Sequence, residues 1–467
     1  MTTSTLAIGG RRSIDGTPPT QPFALAAQHL VTHGVVLGMT GSGKTGLLLV
    51  MIEEALRCGV PVLMVDVKGD LANLALAFGS HDHQPFVPWI AADEPRAEAS
   101  AEVDSAARSV ARARRDGLSA WNITDQTLDA FSRAHSLRVL TPGSAAGEPV
   151  HILSSLERRD ARWDSDPASA RASLSAALSL ALRLVGRDAD PASSREHVLL
   201  SVFAERHLLA GRPASLEALL ADLEAPPLAT VGALAVDKFL SKKARADLAA
   251  SLNALLASPS FRAWREGVSL DPGAWLDATN AARTPATLFS VAHLDDDERA
   301  LVLGVLLEEL LSWVRTLPGR SAPRALIVFD EVYGFLPPHP ANPPTRRPLT
   351  ALLKQARAFG VSLLLATQNP MDLDYRALSN AGLWFIGRLQ TDADRERVIE
   401  GLSLGEDRES ARALADTIKR LPPRWFVARD VHESSVPFLA QTRHTMSWLR
   451  GPLTQRELAR LRQQSAE

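Results

Sequence analysis

The chain has 467 residues, 46% hydrophobic and 22% charged, an ordinary globular composition with apolar surface for a large core and length for two or three domains. A net charge of −2 excludes a global basic field that would advertise nucleic acid, so any DNA contact has to come from a local basic channel. The single cysteine, Cys58, excludes an internal disulfide framework and suits a reducing cytosol.

In chain order, Met1–Leu30 is polar and Pro-rich, and residues 17–22 read as a turn or linker. The first thirty residues lack the apolar stretch of a signal peptide. Gly34–Leu37 is a short buried strand that enters a glycine loop. From Lys44 to Arg57 apolar residues recur at helical spacing, with Cys58 expected as a buried structural thiol. Pro61–Asp66 is a second buried strand ending on an acid. These pieces form a β–loop–α–β unit, the start of a doubly wound parallel sheet. Ala91–Arg115 is Ala-, Glu- and Arg-rich and reads as helix, and Leu137–Leu140 is a third strand.

Between Leu156 and Trp275 strand signals vanish and Ala, Leu and Arg dominate, with Ala168–Val185 and Asp247–Ala257 the clearest amphipathic helices. This stretch is predicted to be an all-helical insertion. Strands resume at Pro285–Val291, Arg324–Asp330, Val361–Thr367 and Leu383–Gly387, separated by helices such as Asp296–Arg315 and Arg347–Phe359. The longest apolar run, Ala300–Val314, is broken by Glu308 and Glu309, short of the about 20 residues a membrane span needs. A soluble, cytoplasmic protein with no membrane partner is expected. Arg424–Gln441 reads as an antiparallel hairpin turning around Asp430–Ser435.

Gly38-Met39-Thr40-Gly41-Ser42-Gly43-Lys44-Thr45 fits G-x-x-x-x-G-K-[ST] with a strand before it and a helix after it. Gly38, Thr40, Gly41, Ser42, Gly43, Lys44, Thr45 and Gly46 are therefore the predicted ATP cradle. Its glycines bring backbone N–H groups close to the phosphates, Lys44 adds charge, and the Thr45 hydroxyl ligates Mg²⁺. Ala325–Phe329 delivers two adjacent acids at its carboxyl end. Asp330 is expected to hold Mg²⁺ and Glu331 to activate the attacking water, which argues for hydrolysis over transfer to a second substrate. Gln368 ends the next strand at the same crevice, as a γ-phosphate sensor or as a cap on the following loop. Asp66–Asp70 follows the second strand at that edge, to touch nucleotide, Mg²⁺ or a polymer, or simply to turn. Arg357, Arg388 and Arg443 are three candidates for an arginine finger acting on a nucleotide.

The stretches GMTGSGKT, VLMVDVKGDL, IVFDEVYGF and KQARAFGVSLLLATQNP, in that order, resemble the HerA–FtsK superfamily of hexameric DNA-pumping ATPases, and in particular its bacterial HerA-like group. TPGSAAGEPV, LSNAGLWFIGRLQTDADRERVIEGL and TRHTMSWLRGPL extend the resemblance from about Gly34 to Leu453. It implies a RecA-like motor core, ATP hydrolysis at subunit interfaces, and a ring that moves double-stranded DNA. It implies Lys44 and Thr45 as the Walker A pair, Asp330 and Glu331 as the Walker B pair, Gln368 as the sensor, and Arg357 as the arginine acting in trans. The Gly-Arg-Lys context usual for that arginine is Ala356-Arg357-Ala358 here. With the P-loop opening at Gly38, the N-terminal β-barrel of archaeal members is not expected.

The sequence thus predicts an α/β, RecA-like P-loop NTPase with a mostly parallel sheet, a large all-helical insertion and a C-terminal β-hairpin. The expected division is an N-terminal segment (1–33), ATPase core (34–154), helical insertion (155–280), core again (281–453) and a tail (454–467). The expected function is an ATP-driven translocase or remodeller of double-stranded DNA, working as a homo-oligomer such as a hexamer, with a nuclease or loader partner left open. The alternative is a nucleotide-switched scaffold that controls assembly without moving DNA. A GTPase is set aside because no N-K-x-D segment follows a strand.

Overall fold

The computed structural model describes residues 5–14, 20–90, 101–159, 162–279, 281–401 and 408–466. Its backbone is organised by an eleven-stranded sheet. In chain order the strands are β1 (Thr5–Arg12), β2 (Gln21–Ala26), β3 (His33–Leu37), β4 (Val62–Asp66), β5 (His135–Leu140), β6 (Thr284–Ser290), β7 (Ala325–Asp330), β8 (Val361–Thr367), β9 (Ala381–Ile386), β10 (Trp425–Asp430) and β11 (Ser434–Thr442). Their spatial order is β2-β1-β11-β10-β9-β3-β8-β7-β4-β6-β5. From β9 to β5 all pairs are parallel. Every residue of β3, β4, β7, β8 and β9 is buried, as expected of strands covered on both faces, and this is why they read as unbroken apolar runs. Register aligns the carboxyl ends: Leu37 lies opposite Thr367 and Asp330 opposite Asp66. A crevice forms along that edge.

The helix after the glycine loop, α1 (Lys44–Arg57), has the predicted bounds. It is apolar nearly all round, yet it carries Glu53 and Glu54, each at most 1% exposed. Both are held by Arg443, which bridges Glu53 Oε2 at 2.8 Å and Glu54 Oε1 at 2.9 Å. Glu53 also accepts from the backbone of Met446 and Ser447. Arg443 is itself 4% exposed, so it is an internal brace and not a finger, correcting that expectation. Cys58, at the end of α1, is half-buried and not enclosed as expected.

The opening of the chain also departs from the linker reading. β1 pairs antiparallel with β11, and β2 with β1, extending the sheet beyond the C-terminal hairpin β10–β11. Each of these strands buries only two large side chains, Leu6 and Ile8 on one, Phe23 and Leu25 on the other. Gly9 is required there, because a Cβ would sit 2.0 Å from the Gln441 carbonyl oxygen. Of the segment 17–22, residues 17–19 lie outside the described residues, as do 91–100 of the Ala-, Glu- and Arg-rich stretch. The remainder of that stretch is the helix Ala101–Ser119, docked through Val103, Ala107, Ala111 and Leu118.

Between β5 and β6 the chain is mainly helical, with long helices at Pro167–Leu184, Arg195–Leu209, Leu216–Glu224 and Lys242–Ala257. Asp166, Ser194, Ser215 and Ser241 cap their N-termini by accepting a backbone N–H, each such cap contributing on the order of 1 kcal/mol. Two pairs of two-residue strands interrupt this region, Val150–His151 with Val268–Ser269 and Thr230–Val231 with Leu234–Ala235. They are too short to leave an alternating pattern. The helix Asp296–Thr316 packs between this region and the sheet. The two acids that break its apolar run are neutralised, Glu308 by Arg347 at 2.6 Å and Glu309 by Arg162 at 3.0 Å.

Candidate nucleotide site

The glycine loop leaves β3 at Leu37 and turns into α1 at Lys44. Gly41 and Gly43 have φ of 78° and 95°, the left-handed region that glycine enters without strain. At Gly43 the space is closed as well, since a Cβ would lie 2.8 Å from the Arg424 nitrogen. The loop is held from outside by backbone bonds. Gly38 N donates to Thr367 O, Met39 N to Arg388 O and Arg424 N to Ser42 O. Arg388 thus meets the loop through its carbonyl. Arg424, which the sequence reading missed, takes a φ of 68° to do so, uncommon for a bulky residue and a mark of local constraint. The only sequence signal for it is the preceding Pro422-Pro423 turn.

The crevice brings together residues from four parallel strands. Lys44 Nζ lies 3.0 Å from Asp330 Oδ1, both buried. Glu331 has a φ of 65°, which turns its carboxylate back over the strand ends. There Oε1 accepts from the Thr367 hydroxyl at 2.6 Å and the Gln368 backbone N–H at 3.2 Å, while Oε2 accepts from Lys68 Nζ at 2.5 Å. Burial works against the Glu331 charge, but the bonds from Lys68 and Thr367 and the charges of Lys44 and Lys68 outweigh it and hold the carboxyl below its ordinary range. The Thr40 hydroxyl donates to the Gln368 side-chain oxygen at 2.9 Å, joining the glycine loop to the end of β8. Asp66 is fully buried beside Asp330. Burial and then that neighbouring charge push it up to about 7, against N–H donors from Gly69 and Ala72.

Lys44, Asp330, Glu331 and Gln368 therefore converge, with Thr45 and Gly46 in the first turn of α1. Arg357 does not join them. It is exposed in the short helix Ala356–Phe359, just before β8 begins, and its charge acts on His33 at the first residue of β3. A seven-residue strand separates it from Gln368, roughly 20 Å at the usual rise.

A family profile described as helicase HerA-like C-terminal matches residues 12–84, the segment carrying the glycine loop and β4. VirB4 of Thermoanaerobacter pseudethanolicus has a similar structure, with a TM-score of 0.52 and 13% identity over 94% of this chain and 96% of that one. The bacterial conjugative coupling protein TrwBΔN70, in its trigonal form with sulphate, gives 0.52 at 15% identity over 96% of both chains. The chain shares the fold of VirB4 and TrwBΔN70, and the segment around its glycine loop is HerA-like. Plasmid coupling protein TrwB in complex with ADP and Mg²⁺ is similar too, at a TM-score of 0.50 and 15% identity over 96% of both chains. At such identities the likeness to these structures is one of fold. No curated protein matches the chain by sequence. Among the described residues no helix of this chain is long and apolar enough to cross a membrane.

Mg²⁺ fits the residues present. Asp330 Oδ2 is buried with no hydrogen-bond partner, and it stands beside the first turn of α1, where Thr45 offers a hydroxyl. Hard oxygen donors, few in number and completed by phosphates and water, are what Mg²⁺ takes.

Proposed function

We propose that this protein hydrolyses ATP and uses it to move or remodel double-stranded DNA as a ring of identical subunits in the cytoplasm. The observation that carries the reading is the separation of Arg357 from its own crevice, together with a crevice equipped for hydrolysis. Exposed at the opposite sheet edge, Arg357 is out of reach of the nucleotide its own chain would bind and is available to a neighbour's. That placement supports an oligomer in which each subunit's arginine serves its neighbour's site.

Within one subunit the roles follow from position. Backbone N–H groups of Gly41 to Thr45 and the dipole of α1 cradle the phosphates. Lys44 faces the β- and γ-phosphates, and Thr45 and Asp330 would hold Mg²⁺, which supplies neutralising charge at the phosphate oxygens. Glu331, oriented by Thr367, takes the proton of the attacking water as its oxygen bonds to the γ-phosphorus and the bond to the ADP oxygen breaks. Gln368, tied to Thr40, stands where the loss of the γ-phosphate is felt. Arg357 of a neighbour would stabilise charge on the transferring group.

The test is ATPase rate with and without duplex DNA, alongside mass by light scattering with nucleotide. Stimulation by duplex together with a nucleotide-dependent assembly supports the reading. Steady turnover with no response to duplex would favour the switched scaffold instead.

A further inference from the structure

The turn Val67–Asp70 after β4 supplies the partner of Glu331 that is easiest to remove. One carboxylate oxygen is engaged by donors fixed on the neighbouring strand end, the Thr367 hydroxyl and the Gln368 backbone. The other is engaged by Lys68, an ammonium on four methylenes with its side chain about a third exposed. The base of the turn is pinned, because Asp66 accepts from Gly69 N at 2.7 Å and Ala72 N at 3.3 Å, but the lysine stem is free to pivot. Lys68 and Lys44 share one space, for the charges of both act on Glu331 and on Asp70. Each ammonium rests on one of the two acids at the end of β7.

We propose that Lys68 is a γ-phosphate-sensing residue, exchanging its ion pair with Glu331 for a bond to the γ-phosphate and so freeing the oxygen that receives the water's proton. The proposal rests on the ATPase reading and assigns the turn a role within it. The physical reason is competition. A terminal phosphate carries more charge than a carboxylate and offers three acceptor oxygens, so a mobile ammonium within reach of both favours the phosphate. ADP, which ends at the β-phosphate served by Lys44, gives Lys68 no reason to leave. Glu331 then stays paired when only product is bound, and the base is released by the substrate itself.

The exchange makes binding predictions that need no turnover. Calorimetry with Mg²⁺ and a non-hydrolysable ATP analogue, and separately with ADP, is run on the full chain and its variants. K68A should weaken the analogue by about tenfold while leaving ADP within about twofold, and K68R should retain most of the lost affinity. E331Q should tighten the analogue by a fewfold at about the cost of the pair no longer broken, and that gain should vanish in the K68A/E331Q double variant. Equal weakening of analogue and ADP by K68A would mean that Lys68 only shapes the turn. An unchanged analogue affinity, or a gain from E331Q that persists without Lys68, would equally overturn the proposal. Failure of the unmodified chain to bind either nucleotide would instead refute the ATPase reading on which this one stands.

Discussion

At the scale of single residues, the site separates binding from chemistry. In the proposed mechanism Lys44 supplies the charge facing the phosphates, so Lys44→Ala is expected to abolish ATP binding measured by calorimetry. Glu331→Gln should keep binding and lose turnover by two to four orders of magnitude, roughly the usual worth of a positioned base, because the amide cannot accept the water's proton. A Glu331→Gln protein that hydrolyses at the normal rate would displace Glu331 from its role. His33 gives a pH-dependent counterpart at the other edge of the sheet. It is buried, accepts the Leu363 N–H at Nδ1, and is lowered to about 4 by burial and by the Arg357 charge. With the folded value depressed below the unfolded one, stability is fully present above about pH 6.5 and is lost as pH falls toward 4, by up to roughly 3 kcal/mol from this group. Ring-proton titration by NMR should place the His33 midpoint well below 6, and Arg357→Ala should raise it. A midpoint near 6.5 in the unaltered chain would show the ring to be solvated.

At the scale of elements, the brace between α1 and the segment after β11 is the feature with the largest expected energetic effect. Arg443→Ala would leave the buried Glu53 without its cation and Glu54 with only the partly exposed Arg57, and breaking a buried pair in this way costs about 3–5 kcal/mol. Urea unfolding should show that loss, and a change below 1 kcal/mol would mean the acids find other partners. What the sequence made legible follows the same physics. β3, β4, β7, β8 and β9 are buried on both faces and announce themselves as apolar runs, and the glycine loop and the Asp330–Glu331 pair are contiguous motifs. β1 and β2 bury two large residues each, and β1, which carries β2 on its outer edge, joins the sheet through β11 over four hundred positions away, so little local pattern betrays them. The same holds for Lys68 on Glu331, a contact across 263 positions, and for Arg424 at the glycine loop. Arg443 shows the converse error: an arginine beside a motif-rich tail looked catalytic because its partners, two acids in the middle of a helix, could not be matched to it by spacing.

At the scale of the whole molecule, the proposed ring makes Arg357 and Lys44 separable between subunits. Arg357→Ala should bind ATP nearly as the unaltered chain does and turn it over slowly, since the missing charge matters mainly in the transition state. Mixed with Lys44→Ala protein it should recover part of its activity, because a Lys44→Ala subunit still offers an intact arginine to its neighbour's crevice. Absence of recovery in mixtures shown to co-assemble would sink the trans role. DNA contact by a chain of net charge −2 has to be made by local basic loops on phosphates. Affinity for duplex should therefore fall steeply from low to physiological salt with little sequence preference. A salt-insensitive affinity would point to a different mode of contact.

The span of the Arg443 brace also sets a timetable for synthesis. Arg443 lies 390 positions beyond Glu53, so the ribosome delivers α1 long before the cation that neutralises its buried Glu53. During that interval α1 cannot be buried without enclosing Glu53 bare of its cation, and β1 waits equally long for β11, its partner across the hairpin edge. Nascent chains shorter than Arg443 should thus stay protease-sensitive around α1, and nucleotide binding should switch on abruptly once the last strand has left the exit tunnel. If the proposed function holds, a chain folded in this order gains no competence to bind ATP while its own translation is unfinished.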